Sequence, residues 1–326
     1  MVDTINLALF GSGYWGSKLA AEYLEIQKYN KKLNFFGIVD PDKKRLSDIQ
    51  NKLNLRSDML FESMEQCLHD PEVNAIHIAT PNETHYKIAL EALRQRKNVL
   101  LEKPMTMSSG EAFKLTRLAE KSSQVLLIGH IFRFNSALIR AKEILQDGQI
   151  GNISYLQLSW RDYLNPLPDR DIIFDLLPHP IDIVNYLTDE WPSSVYAQSI
   201  SHTGSIDNDK EKMALVVMEM PDKRLVQITL SWIQPGIKDR LVTITGTEGT
   251  MIIDTLSQEI TIHGKNRTNN IVVDKNNTIS SMITHFLNCI FGIESPRSSS
   301  LVGAMTVNAL VSAKRSLSEK RVVNIN

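Results

Sequence analysis

Two short segments hold the residue types a proton-coupled redox step needs. In DLLPHPID (175–182), Asp175 and His179 stand four apart, with Asp182 three further on. A spacing of four puts two side chains on one face if the segment is helical. An imidazole titrates near neutrality, so His179 suits the removal of a hydroxyl proton as a carbonyl forms, work worth roughly 10²–10⁴-fold in rate. In Glu102-Lys103-Pro104, Lys103 offers a cation that would stabilise developing alkoxide character and could relay a proton. Each has a plainer reading: Lys103 as a solvated loop lysine, His179 as a core or capping histidine, Asp175 as an N-cap. Pro178 and Pro180 flank His179, and residues before proline avoid the helical region. The spacing therefore predicts a helix starting near Pro180, with His179 at or just before its first turn. Asp175, His179 and Asp182 could ligate a divalent ion, but no Cys/His cluster accompanies them and no metal is expected. Arg133, Asn135 and Arg161 are candidates to face a substrate, where an arginine could clamp a phosphate or carboxylate; surface ion pairs are the equal alternative.

A third segment points to a nucleotide. ALFGSGYWGSK (8–18) concentrates Gly11, Gly13 and Gly16 in a chain with only 15 glycines among 326 residues. They fall where an apolar run, Ile5–Phe10, meets a helical pattern, the context a dinucleotide fingerprint requires. Gly11 permits the tight turn, Gly13 lets the backbone approach a pyrophosphate, and Gly16 lets helix and strand pack closely. Ser12, Tyr14 and Trp15 complete the loop, and the helix start offers its N–H groups to phosphate charge. Asp40, ending the next apolar run, is placed to hydrogen-bond a ribose diol and to repel a 2′-phosphate. NAD is thus favoured, and Lys43, Lys44 and Arg45 leave NADP as the second choice. Thr80, Pro81, Asn82 and His85 follow a third run, and Glu102 and Lys103 a fourth; all are assigned to the cofactor end of a sheet. His69, His77, His202 and His263 are assigned no role.

These positions need a frame. Runs at 33–39, 73–79, 99–101 and 125–128 alternate with amphipathic stripes carrying Leu46, Ile49 and Leu53, then Ile88, Leu90 and Leu93, then Phe113, Leu115 and Leu118. Continuous apolar strands alternating with helices mean a doubly wound parallel sheet, a Rossmann domain over 1–128. Beyond Gly129 the rhythm changes. A helix at 137–145 and a strand at 153–160 precede β-rich runs at 214–220, 225–232, 241–245 and 250–254, with a hairpin turn at Gly246–Gly249. Helices at 279–291 and 301–317 and a strand at 322–325 complete an α+β domain over 129–326, built on a large, mostly antiparallel open sheet. Its uncovered face predicts a homodimer or homotetramer.

Composition narrows the class. A net charge of −1, 42% hydrophobic and 22% charged residues describe an ordinary globular chain and argue against nucleic acid as a partner. Cys67 and Cys289 are too few for a disulfide scaffold or a cysteine zinc cage. No apolar run approaches the ~18–20 residues that span a bilayer, and the N-terminus does not read as a signal peptide. The expectation is a cytoplasmic protein with no membrane partner.

In order, GSGYWG (11–16), ATPNETH (79–85), EKP (102–104) and DLLPHPID (175–182), with weaker echoes in GHIFRFN (129–135) and GTEGT (246–250), resemble the Gfo/Idh/MocA oxidoreductases, which include glucose–fructose oxidoreductase and inositol dehydrogenase. The resemblance spans nearly the whole chain, and EKP is its most specific element. It implies a nicotinamide cofactor held between two domains, Lys103 reaching the reacting carbon, and Asp175 with His179 as the acid–base pair. The implied activity is an NAD(P)-dependent dehydrogenase acting on a hydroxyl of a sugar, polyol or sugar derivative. A non-catalytic NAD(P)-binding sensor and a redox-neutral, glycosidase-type member are the alternatives. Leu177 stands where many members have glycine, which bears on the substrate more than on the chemistry.

Overall fold

The computed structural model describes residues 4–164, 171–201 and 211–325. The described strands are β1 (Ile5–Phe10), β2 (Leu33–Val39), β3 (Leu60–Phe61), β4 (Ala75–Ile78), β5 (Asn98–Leu101), β6 (Leu126–Ile128), β7 (Ile153–Arg161), β8 (Ser194–Ser201), β9 (Glu211–Glu219), β10 (Leu225–Ser231), β11 (Asp239–Gly246), β12 (Gly249–Asp254), β13 (Glu259–Gly264), β14 (Thr268–Ile271) and β15 (Val323–Asn324). The helices are α1 (Tyr14–Tyr29), α2 (Lys43–Leu53), α3 (Met64–Leu68), α4 (His85–Arg94), α5 (Ser109–Ser122), α6 (Ser136–Gln146), α7 (Ile172–Leu176), α8 (Pro178–Thr188), α9 (Thr278–Ile290) and α10 (Ser300–Glu319).

The first compact unit holds residues up to Ile131 together with Ile279–Ala304. Its sheet runs β3-β2-β1-β4-β5-β6 with every pairing parallel. Strand order reverses between β1 and β4, the switch point at which doubly wound sheets bind ligands beyond their carboxyl ends. β1 and β4 are almost wholly buried, which is why their sequences are unbroken apolar runs and not alternating ones. The helices bury one stripe each, such as Ile88, Ala89, Ala92 and Leu93 of α4.

The return of 279–304 to this unit departs from the expected division at 128/129. Backbone and hydroxyl bonds carry it: Ser298 Oγ donates to the Ile128 carbonyl at 2.6 Å, and Thr116 Oγ1 to that of Ser300 at 3.1 Å. Gly303 packs so tightly that a Cβ there would lie 2.5 Å from Ile128 Cγ1. Periodicity identifies helices in this stretch but says nothing of the layer they join.

The second unit, Phe132–Thr278 with the chain from Met305 onward, is built on a nine-stranded sheet of order β14-β13-β12-β11-β7-β10-β9-β8-β15. Among the described residues of this sheet, only β7 and β10 pair in parallel. Leu156, Leu158 and Trp160 of β7 and Val226, Ile228 and Leu230 of β10 turn inward to a core shared with α6, α7 and α8. The alternate residues form the other face, where Tyr196, Leu215, Val217 and Leu225 are exposed. The hairpin at Thr247-Glu248 stands where Gly246 and Gly249 mark it. β13 and β14 extend the sheet beyond the strands read from sequence.

The helix–strand junction at the glycine loop gives a stability test. A Cβ on Gly16 would sit 1.9 Å from the Gly11 carbonyl oxygen, which only backbone movement relieves. Gly16→Ala is expected to cost about 2–3 kcal/mol in chemical denaturation, as overpacking does. A change within ~0.5 kcal/mol would mean that the junction is looser than this contact requires.

Candidate active site

In the first unit the loops after β1, β2, β4 and β5 all leave the sheet at its carboxyl edge, so the four sequence segments assigned to a cofactor share one rim. Gly11 adopts φ +101° and donates its N–H to the Val39 carbonyl at 2.8 Å. A Cβ there would meet the Ala79 carbonyl oxygen at 2.5 Å, so the glycine loop lies against the start of ATPNETH. Around Gly13, by contrast, no atom lies within 4 Å of where a Cβ would be. Gly13 caps α1 with no side-chain bond, and the first turn carries no acidic residue. Ser12 turns inward, whereas Tyr14 is exposed on the rim.

Asp40 is buried, and it faces the glycine loop. Its Oδ2 accepts from Ser12 N–H at 2.9 Å and Ser12 Oγ at 2.8 Å, while Oδ1 accepts from Asp42 N–H at 3.0 Å. The carboxylate therefore ties the glycine loop to the end of β2. Thr80 Oγ1 and Thr84 Oγ1 lie 2.7 Å apart, and Thr84 Oγ1 donates to the Pro81 carbonyl. His85, fully buried, spans two loops: Nδ1 lies 2.9 Å from the Pro104 carbonyl and Nε2 3.0 Å from that of Thr80. Burial pushes its imidazole below the ordinary value, against the pull of those carbonyls.

Glu102 points into the protein. Its Oε1 lies 3.2 Å from His77 Nε2, and His77 Nδ1 lies 2.8 Å from the Tyr23 hydroxyl, all three side chains buried. Burial works to raise the Glu102 carboxyl, but the His77 contact, the Trp15 indole and the Lys103 ammonium outweigh it and hold it below the ordinary value. Burial, reinforced by the Glu102 charge, pushes the Tyr23 phenol well up. Lys103 itself is half-buried at the mouth of β5.

In the second unit His179 lies in α8 and Asp175 in α7, and the helix is interrupted between them at Leu177. Leu177 takes φ −66°, ψ −24° despite preceding a proline, so the helix begins at Pro178 and His179 is already inside it. The cap of α7 is Asp171, whose Oδ1 accepts from Ile173 and Phe174 N–H, so Asp175 is not an N-cap. The His179 ring stands edge-on to Phe132 at 5.0 Å and leans over Trp160 at 6.2 Å. The Arg240 guanidinium also lies over Trp160, 5.5 Å from its ring, and donates 2.7 Å bonds to the carbonyls of Arg161 and Asp239. Burial lowers the Arg240 value, opposed by the charges of Asp162, Asp239 and Asp175.

Three residues assigned to substrate each hold partners within the protein. Arg133 is buried, with Nε donating to Asp182 Oδ1 at 2.6 Å and an Nη to Asn185 Oδ1 at 2.5 Å. Asn135 caps α6, accepting from Ala137 and Leu138 N–H and donating to the Thr255 carbonyl. Arg161 pairs with Asp239 through two of its nitrogens. It stands on the opposite sheet face from Trp160, because successive strand residues alternate. A charge within a helical pattern reads alike whether it meets substrate or a buried carboxylate from 49 residues away.

The GFO_IDH_MocA model, described as an oxidoreductase family with an NAD-binding Rossmann fold, matches residues 5–130. The GFO/IDH/MocA C-terminal domain model matches residues 138–252. The chain belongs to the Gfo/Idh/MocA oxidoreductase family. It is 25% identical to the structure of UDP-N-acetylglucosamine 3-dehydrogenase from Acidithiobacillus ferrooxidans, with a TM-score of 0.84 over 97% of this chain and 98% of that one. It is 22% identical to myo-inositol 2-dehydrogenase from Thermotoga maritima over 89% of this chain and 90% of the relative. It is 23% identical to 2,7-anhydro-N-acetylneuraminate hydratase from Mediterraneibacter gnavus over 78% and 68% respectively.

As a Gfo/Idh/MocA oxidoreductase the chain uses NAD, and the glycine rim fits that nucleotide. The space at Gly13 leaves backbone open where a pyrophosphate needs it, and the uncapped, acid-free start of α1 suits its charge. No described helix is long and apolar enough to cross a membrane, and no metal-holding cluster occurs among the described residues. Sequence reasoning passed over His77, although an imidazole inside the otherwise apolar run AIHI needs a buried partner.

The reassignment of Arg133 is testable. Arg133→Leu strands the Asp182 carboxylate and is expected to cost about 3–5 kcal/mol in denaturant unfolding, with much of it regained in Arg133→Leu/Asp182→Leu. Unchanged stability in the single variant, with weakened substrate binding, would return Arg133 to the substrate.

Proposed function

We propose that the chain oxidises or reduces a hydroxyl carbon of a sugar, polyol or sugar derivative. Lys103 and His179 carry the proton and charge changes. What supports this above all is the convergence of the glycine loop, ATPNETH and Glu102-Lys103-Pro104 on the switch point of one parallel sheet. The backbone of Gly11–Gly16 with Thr80–Asn82, and Asp40 toward the adenosine ribose, would hold the nicotinamide cofactor, which would accept hydride in oxidation and, in its reduced form, supply it in reduction. As the hydroxyl gives up its proton in oxidation, or as the carbonyl carbon gains hydride in reduction, the substrate oxygen takes on alkoxide character, which the Lys103 ammonium stabilises. His179 takes the hydroxyl proton in oxidation and returns it in reduction. Phe132 and Trp160 limit the movement of its ring, and Asp175 is the acid assigned to work with it. The bonds Asp40 already makes leave acceptor capacity on Oδ1 for a ribose hydroxyl, and a 2′-phosphate would meet its charge, so NAD is preferred to NADP.

The likeness to the hydratase carries a second reading, in which the same residues act on a sugar derivative with no net change in NAD. The exposed Tyr196, Leu215 and Val217 on the open sheet face seat a second copy, giving a homodimer or homotetramer. A cytoplasmic setting accords with two buried free cysteines.

The test is the initial rate of NADH formation with aldoses, inositols, sugar acids and nucleotide sugars, for wild type and Lys103→Met. Turnover in wild type that falls at least ~100-fold in the variant, with NAD affinity kept within a few-fold, is the expected result. Equal loss of turnover and affinity would make Lys103 a cofactor anchor. NAD binding with no NADH formed, but with substrate consumed, would favour the redox-neutral reading; no consumption at all would leave a sensor.

A further inference from the structure

The buried chain Tyr23–His77–Glu102 ends one residue from Lys103, on which the mechanism depends. A carboxylate only accepts, so His77 Nε2 carries the proton donated to Glu102 Oε1 across 3.2 Å. Its Nδ1 lies 2.8 Å from the hydroxyl of Tyr23, whose phenol burial keeps un-ionised. Each bond polarises the next, so the chain delivers its strongest donor to Glu102. Tyr23 is itself held by stacking on Phe35 at 5.3 Å and by its edge-on contact with His77. Behind Glu102 there is no slack, because a Cβ on Gly129 would lie 2.9 Å from Oε2.

We propose that His77 is a positioning residue for Lys103: clamped by Tyr23, it fixes the buried Glu102 carboxylate and, through it, the place and charge balance of the adjoining lysine. Lys103 is then bracketed, with Glu102 held by His77 on one side and the Pro104 carbonyl met by His85 on the other. The titratable groups facing Glu102 are Tyr23 from α1, His77 from β4, His85 from α4 and Lys103 itself. His130 follows directly on Gly129. The proposal rests on the catalytic role given to Lys103, so its test separates the two.

Protein labelled with ¹³C at glutamate carboxyls is titrated without nucleotide, as wild type, His77→Val and His77→Gln. In wild type Glu102 stays ionised down through the ordinary carboxylate range. In His77→Val burial is no longer opposed by its donor, and the transition is expected to rise by ~2 or more pH units. His77→Gln, whose amide donates again, brings it back toward wild type. Turnover with NAD is then expected to fall ~10-fold or more in His77→Val near pH 6, with KM within a few-fold, and to recover toward pH 9 as Glu102 ionises. Should His77→Val fail to fold, Tyr23→Phe makes the same shifts on a smaller scale.

An unmoved Glu102 transition overturns the proposal. So does a moved transition with the same loss of turnover at every pH, which is what a merely structural histidine would give. If Lys103→Met keeps full turnover, the catalytic reading of Lys103 falls and the proposal with it. The nucleotide-free titration still reports separately whether His77 governs Glu102.

Discussion

Everything on the nucleotide rim depends on one close approach, Gly16 against the Gly11 carbonyl. Because neither residue has a side chain, α1 starts almost on top of the end of β1, and its first amides are left facing outward at Gly13. The same crowding presses Gly11 onto Ala79, which fixes the loop after β4 relative to the loop after β1. Parallel pairing then sets the rest. Once β4 lies beside β1 and β5 beside β4, Thr80 and Lys103 must emerge on the same edge as the glycines. A parallel sheet leaves no freedom for these segments to appear at opposite ends.

Two of the buried polar constellations differ in their surroundings, and the surroundings divide their roles. Arg133, Asp182 and Asn185 satisfy one another between α8 and the turn before α6. They tie elements together, and burying such charges without partners would cost several kcal/mol. Tyr23, His77 and Glu102 are equally buried, yet their chain ends one residue from Lys103 at the ligand edge of the sheet. In the second unit, Phe132 and Trp160 pack against the His179 ring, and Arg240 lies over Trp160 in turn.

Local rules made much of this readable. The glycine spacing, the unbroken apolar strands, the turn at Thr247-Glu248 and the carboxyl-end motifs all follow from sterics and burial that act within a few residues. What stayed hidden depends on long-range partners. Arg133 and Asn135 look like ligand donors until Asp182 and Thr255, far away in sequence, are seen to occupy them. Periodicity reads the helices at 279–291 and 301–317, but the packing of the stretch between them against Ile128 and Thr116 has no periodic signature. His77 was legible in part, since its polarity breaks an apolar strand, although its partners on α1 and β5 were not. The prolines around His179 misled on the helix start, because the Leu177 backbone accepts the helical region that a following proline disfavours.

The most direct measurement is a crystal structure of the protein with NAD and a slowly turned-over sugar alcohol. The account predicts the pyrophosphate against the backbone at Gly13 and the start of α1, and the Lys103 ammonium within hydrogen-bond reach of the reacting hydroxyl. A pyrophosphate seated away from the glycine loop, or a Lys103 side chain turned from the substrate oxygen, would contradict it.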